Sequence, residues 1–479
     1  MRKYQLFIGG RDVAPTSQDY FDVVAPAEQT VIAKAARAGH ADVNAAILVA
    51  HQGFTQWSLL APNAREAALL KAADIIAQQG TERLLDILID ESGSTISKAK
   101  VEIAYSVDLL RTAAGEARRL YAETFPNDNP QRISMVIREP LGVVAVISPY
   151  NAPLALLCKM VAFPLAAGNA VVVKPSEQTP IIAIEFAKML VEAGIPGEAL
   201  NILTGFGEEC GAPLVEHESI DAIAFTGSTE IGQRIGRNAI HRMVKMQLEL
   251  GGKSAAIVMP DVDVNKAAEI VAQGIFTHAG QICMANSRVV VHKEIYADFI
   301  SALHKQCETL CVGNLRDEQC VYGPLINQAA VDKVESHVAD ALAKGATLLT
   351  GGHVISGLVY APTILLETPR TSLAWQEESF APLLNIVCAD NLEQAIEIAN
   401  DCQFGLSASV LTTNIHWAMQ AARGIKSGAV HVGMHAFQSN ALAPIGGSKL
   451  SGIGRSGGAY STQEFTDVKW VSIEVNSPF

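Results

Sequence analysis

Positive charge is what this chain has too little of. Its 36 lysines and arginines are outnumbered by 49 aspartates and glutamates, for a net charge of −13. No basic stripe is present to release counterions from a phosphate backbone, so no nucleic-acid partner is expected. The opening "MRKYQLFIGGRDVAP" lacks the apolar core of a secretory signal, and a cytoplasmic location is expected. Unbroken apolar runs are missing too. The most apolar stretch, 142–173, carries Pro149, Asn151, Pro153, Lys159, Pro164 and Asn169. Those breakers suit two buried strands around a helix better than a membrane span of ~20 residues, so no membrane partner is expected. Cys307, Cys311 and Cys320 lie near His304 but match no zinc spacing. No metal is expected, and the eight cysteines read as reduced thiols. Internal repeats and low-complexity blocks are absent.

What is present is ordinary globular composition, 49% hydrophobic and 18% charged. At roughly 150 residues per domain, 479 residues make two to four domains or lobes. "FIGGRDV" suggests a Gly-Gly turn between short strands. Helical patterning then dominates from Ala41 to Ala122. Ile103, Val107, Leu110 and Ala114 fall on one helical face. From Gly142 short apolar runs alternate with helical stretches: 143–147, 170–174, 200–203, 221–225 and 246–250. The helix from Thr179 stops properly at Gly194 with Pro196 beyond. A second alternating series runs from Ser254 to Val432. This pattern defines an α/β protein with two parallel-sheet lobes, joined near "LELGGKS".

Ligands of parallel sheets gather at the carboxyl ends of the strands. Three stretches sit at such ends. "KPSE" offers Lys174 and Glu177, suited to ribose or phosphate. "GFGEECG" offers Gly207. "FTGSTEIG" places Gly227, Ser228 and Gly232 between a strand and a helix, where N–H donors and a positive dipole end meet an anion. The usual G-x-G-x-x-G fingerprint after the first strand is absent. The three turns together still favour a dinucleotide. "LELGGKS" puts Glu249 at a strand end between leucines, an environment suited to a general base. The alternative for that residue is an ion-paired glutamate at a sheet edge. "SPYNAPL" puts Asn151 between two prolines, where its amide serves either a turn or a developing oxyanion. "FTHAGQICMANSR" centres on Cys283, a buried structural thiol or a nucleophile. "GRSGG" around Ser456 fits the hydrolase pattern G-x-S-x-G, but the glycine-rich run before it does not read as the strand that elbow needs.

Taken jointly, "FTHAGQICMANSR" and "LELGGKS", with Cys283 and Glu249 34 residues apart, strongly resemble the NAD(P)-dependent aldehyde dehydrogenase superfamily. "SPYNAPL", "KPSEQTP", "FTGSTEIG", "EESFAP" and "GGSKLSGIGR" extend the match, in order, over nearly the whole chain. The resemblance implies a Rossmann-like cofactor domain from 1–120 and 141–250, and a catalytic domain from 251–440. It implies a small bridging β-sheet from 121–140 and 459–479 that pairs subunits into a homodimer or homotetramer. It assigns Cys283 as nucleophile, Glu249 as the base for the deacylating water, and Asn151 with the Cys283 N–H as oxyanion hole. Lys174, Glu177, Gly207, Gly227, Ser228, Gly232, Glu378 and Phe380 match cofactor positions. A carboxylate at Glu177 favours NAD over NADP, because it accepts from a 2′-hydroxyl and repels a 2′-phosphate. Hydride transfer and hydrolysis then turn an aldehyde into its acid.

Several positions depart from the common family pattern: Tyr150, Ala152, Ala381, Ile445, and Ser456 where glutamate is frequent. If the stretch after Asn151 is helical, Ala152, Ala155, Leu156 and Lys159 share a face. With Met284 they are the expected wall of the substrate tunnel. The two alanines widen it, and Lys159 meets an anionic or phenolic group or else a structural ion pair. This resembles aromatic aldehyde dehydrogenases of the benzaldehyde, vanillin or salicylaldehyde kind, and an aromatic or bulky hydrophobic aldehyde is expected. The alternatives are a CoA-acylating aldehyde dehydrogenase, against which Glu249 argues, and a catalytically silent protein on the same scaffold.

Overall fold

In a computed structural model, residues 1–475 are described. The last four positions of the expected bridging segment lie outside the described residues. Gly9 and Gly10 both take positive φ, 61° and 76°, and join strands Leu6–Ile8 and Arg11–Val13 in a two-residue hairpin. That is the turn whose twist matches paired strands. Helices His40–Trp57, Pro62–Ser92 and Ile96–Ala117 follow. Ile103, Val107, Leu110 and Ala114 are all buried, as one apolar face requires.

The first large sheet has eight strands. Its centre is parallel: Lys245–Glu249, Ala222–Thr226, Val143–Ile147, Ala170–Lys174 and Leu200–Ile202, in that spatial order. Both edges are antiparallel. Leu6–Ile8 pairs with Leu200–Ile202, and Gly452–Ile453 pairs with Lys245–Glu249. Sequence order thus hides one contribution: the far carboxyl-terminal segment completes the sheet beside Glu249. The 142–173 region forms strand, helix Ala155–Ala167, then strand, with Pro149, Asn151, Pro153 and Asn169 at the turns and Lys159 and Pro164 inside the helix. No helix among the described residues is long and apolar enough to cross a membrane.

The second large sheet has seven strands, six of them parallel, with Ala255–Val258 and Arg288–His292 at its middle. Its central strands are buried on both faces, which explains their unbroken Val/Ile/Ala runs. Arg132–Pro140 pairs along its full length with Thr466–Glu474, and Glu123–Phe125 adds a third strand. This small sheet exposes Phe125, Ile133, Val468, Trp470 and Ile473.

Candidate active site

Cys283 lies on the loop between helix Val264–Phe276 and strand Arg288–His292. The loop reverses through His278, Ala279 and Gly280, all with positive φ. Gly280 packs so closely that a Cβ there would stand 2.2 Å from the Ala381 carbonyl oxygen. The loop carrying Cys283 is therefore locked to the loop carrying Glu378 and Phe380. Two left-handed non-glycine residues cost about 1–3 kcal/mol each, a strain tolerated where surroundings over-determine the backbone.

The glycines of "LELGGKS" have separate reasons. A Cβ on Gly251 would stand 2.5 Å from Glu378 Oε2, and one on Gly252 would stand 2.3 Å from the Cys283 carbonyl oxygen. The Gly252 N–H donates to Glu378 Oε1 at 2.9 Å. Glu249, Glu378 and Cys283 are thus drawn together at the ends of the two sheets.

Two cavities meet at Cys283. One, of about 1230 Å³ with its open mouth, is lined by Asn151, Lys174, Glu177, Gly227, Ser228, Cys283, Lys333, Glu378 and Phe380. An adjoining hollow includes Gly207, again with Lys174 and Glu177. The other, of about 880 Å³ with its mouth, is lined by Asn151, Ala152, Ala155, Leu156, Lys159, Glu249, Cys283 and Met284. Asn151, Leu156 and Cys283 line both. Gly232 lines none of these spaces; it lets helix Thr229–Ile240 pack on Leu250, whose Cδ2 would be 2.3 Å from an added Cβ. Ala152 also precedes the helix, which begins at Ala155, so it reaches the tunnel from the turn.

The first cavity suits a dinucleotide by its donor set. Ser228 caps helix Thr229–Ile240 by accepting from the Ile231 N–H, and that helix start opens on the cleft. Lys174 Nζ holds Glu177 Oε2 at 3.0 Å. Burial opposes charge on Glu177, but the Lys174 ammonium and hydrogen bonds outweigh it and hold the carboxyl below the usual range. Burial pushes the Glu378 carboxyl upward, opposed by the Gly252 N–H and by Lys333 and Lys253. Tyr150 meets Phe380 edge-on, with ring centroids 6.0 Å apart.

Around the thiol the balance is different. Cys283 keeps partial accessibility, which opens onto the cavities, yet burial pushes its thiol up to about 12. Glu249 and Glu378 add to that rise, and the Lys159 ammonium opposes it. Asn151 Nδ2 donates to the Gln281 carbonyl at 2.9 Å, which aims its amide at the Cys283 loop.

Sequence reasoning missed three partners. Ser456 Oγ donates to Glu249 Oε1 at 2.6 Å, so the serine of the G-x-S-x-G stretch, which does not read as a hydrolase elbow, holds the candidate base. It sits in an antiparallel bridge with Ile445, not on a strand-to-helix elbow. Lys98 Nζ donates to Glu102 Oε2, to Ser94 Oγ and to the Asn151 carbonyl, all within 2.8 Å. Glu102 Oε1 in turn accepts from the Leu154 and Ala155 N–H groups and pins the start of the tunnel helix. The spacing of Lys98 and Glu102 is a helical i,i+4 pair and was visible. Ser456 lies 207 positions from Glu249, and no local pattern links them.

A cysteine set between a dinucleotide-type cleft and an apolar tunnel, with a glutamate on the tunnel side, defines an α/β oxidoreductase. Residues 13–471 match the model of the aldehyde dehydrogenase family. The chain is 36% identical over 477 residues to the NADP/NAD-dependent aldehyde dehydrogenase PuuC of Escherichia coli, covering 98% of this chain and 96% of that one. It is 35% identical over 469 residues to a mitochondrial succinate-semialdehyde dehydrogenase of Oryza sativa, covering 98% and 89%. An NAD-dependent aldehyde dehydrogenase from Sinorhizobium meliloti superimposes with a TM-score of 0.97 at 34% identity, covering 100% and 96%. The chain belongs to the aldehyde dehydrogenase family. It is an enzyme that oxidises aldehydes with a nicotinamide dinucleotide.

Proposed function

We propose that the protein oxidises an aromatic or bulky hydrophobic aldehyde to its carboxylic acid with NAD, through a thiohemiacetal and a thioester on Cys283. The observation that carries this reading is the position of Cys283, which lines both the cofactor-type cleft and the tunnel. The alanines at 152 and 155 leave the tunnel wall without large side chains at those points, which supports a wide substrate.

Cys283 must first lose its proton. The Lys159 charge favours the thiolate that burial disfavours. The thiolate adds to the carbonyl, and negative charge develops on oxygen. Of the two Asn151 amide hydrogens, one goes to the Gln281 carbonyl. The second is left for that oxyanion, with the Cys283 N–H beside it; one such donor is worth roughly 3 kcal/mol. Lys174, Glu177, Ser228, Glu378 and Phe380 would hold the dinucleotide, whose nicotinamide supplies the hydride acceptor. Glu249 then takes a proton from water, the resulting hydroxide attacks the thioester carbonyl, and Cys283 departs as thiolate with release of the acid. Ser456 steadies Glu249 by donating to its carboxylate.

Glu177 supports NAD over NADP, since it lines the cleft with its charge favoured by Lys174. The exposed apolar residues of the small sheet, Trp470 and Val468 among them, support a homodimer or homotetramer. Eight free cysteines are compatible with the cytoplasm. NADH formation measured across aliphatic, aromatic and semialdehyde substrates, with Cys283→Ala as blank, tests the reading. Acetaldehyde outperforming benzaldehyde in kcat/KM rejects the wide-tunnel substrate.

A further inference from the structure

Most polar groups that line the tunnel are spoken for. Lys98 spends its three N–H donors on Ser94, Glu102 and the Asn151 carbonyl. Glu102 answers Lys98 and two backbone N–H groups. Asn151 is tied to Gln281 and Glu249 to Ser456. Besides the second Asn151 amide hydrogen, kept for the oxyanion, and the solvent-exposed Ser439, two donors are left over. Lys159 is only 4% exposed, lines the tunnel, and makes no hydrogen bond or ion pair with any described residue. The Tyr105 hydroxyl is buried on the same cavity and also has no partner.

Buried polar groups in native proteins are nearly always satisfied, and a buried ammonium needs an acceptor more than most. Burial accordingly drives Lys159 towards its neutral form, while Glu249 and Cys283 act on it only through space. The rest of the wall is apolar at Ala152, Ala155, Leu156, Ile282, Met284 and Ile445. A wholly apolar substrate would seal both donors away unpaired. A cationic substrate would meet a like charge.

We propose that Lys159 and the Tyr105 hydroxyl form an acceptor-binding subsite, and that the preferred aldehyde carries a carboxylate or phenolic oxygen on an otherwise apolar body. The subsite deepens the aldehyde-oxidation reading above and rests on it. The ammonium can only donate and the hydroxyl beside the same cavity can donate too, which sets the polarity of the subsite: it takes an accepting oxygen. A pocket built to hydrogen-bond a substrate oxygen discriminates strongly against the analogue lacking it.

The test is a kcat/KM series on benzaldehyde, the hydroxybenzaldehydes, the carboxybenzaldehydes and succinate semialdehyde. It is run for the wild type, Lys159→Met, Lys159→Arg and Tyr105→Phe, with thermal melting as a check on folding. The wild type is expected to prefer an acceptor-bearing aldehyde over benzaldehyde by at least about tenfold. The hydroxy and carboxy arms report which oxygen is taken. Lys159→Met should lower kcat/KM for that aldehyde at least about tenfold more than for benzaldehyde, mainly through KM, and Lys159→Arg should restore part of the loss. Tyr105→Phe should act in the same direction and more weakly. An equal loss on every aldehyde overturns the subsite, because Lys159 would then serve the thiol alone. NADH formation without any preference in the wild type also overturns the subsite and leaves the oxidation reading standing. No NADH from any aldehyde overturns both.

Discussion

Replacing Glu177 by glutamine should move the cofactor preference of the enzyme. Glu177 lines the cleft, and Lys174, 3.0 Å away, favours its charge. NADP differs from NAD by a 2′-phosphate. A carboxylate and one phosphate charge about 5 Å apart repel by roughly 3 kcal/mol at an effective dielectric of 20. Glu177 is partly open to solvent, so screening reduces this to about 1.5–3 kcal/mol. The variant loses that repulsion, and Lys174 is left free to meet the phosphate. It also loses the acceptor for a ribose hydroxyl, which weakens NAD. The ratio of kcat/KM for NAD to that for NADP should therefore fall by about 10–100-fold. Initial rates with each cofactor at saturating aldehyde, and at an ionic strength near 0.1 M, measure it. A ratio unchanged in Glu177→Gln would refute the reasoning, since the carboxylate would then not face the ribose.

Other consequences follow from the same contacts. Ser456→Ala removes a hydrogen bond to a charged carboxylate, worth about 1.5–3 kcal/mol. The first turnover of NADH should remain fast while the steady-state rate falls about tenfold or more, and Ser456→Thr should rescue it; an equal loss in both phases would contradict a role on Glu249. Glu102→Ala removes the carboxylate partner of the half-buried Lys98 ammonium, which keeps Ser94 and the Asn151 carbonyl, and leaves two buried backbone N–H groups unpaired, and should cost about 2–4 kcal/mol of stability in chemical denaturation. A loss under about 1 kcal/mol would mean that solvent replaces the carboxylate. The Cys283 thiol of the free protein is pushed up to about 12, so the thiolate fraction grows with pH throughout the accessible range. Alkylation of Cys283 by iodoacetamide should climb about tenfold per unit from pH 7 to pH 9. A plateau near neutrality would show a thiol already ionised.

The parallel strands were legible because strands buried on both faces must be apolar throughout, and 143–147 and 170–174 are. The residues that converge at Cys283 were legible because their motifs sit at the ends of those strands. At Gly232 the missing Cβ makes room for Leu250, and a sequence pattern does not separate close packing from a phosphate approach. Ser456 was visible only as an oddity, because the antiparallel pairing of Gly452–Ile453 with the strand of Glu249 is a long-range event. Lys159 was recognised as a tunnel residue, but its lack of a partner depends on where Glu102 and Lys98 spend their bonds.

Oxidation through an acyl thioester on Cys283 is what the whole reading depends on. Glu249→Gln keeps the size of the base and removes its proton affinity, so the acyl enzyme should accumulate. Incubated with NAD and an aldehyde it turns over, the variant should form about one NADH per chain and then stop. Mass spectrometry of the digested protein should find the acyl group on the peptide that contains Cys283. An undiminished steady rate, or an acyl group on any other residue, would contradict the account.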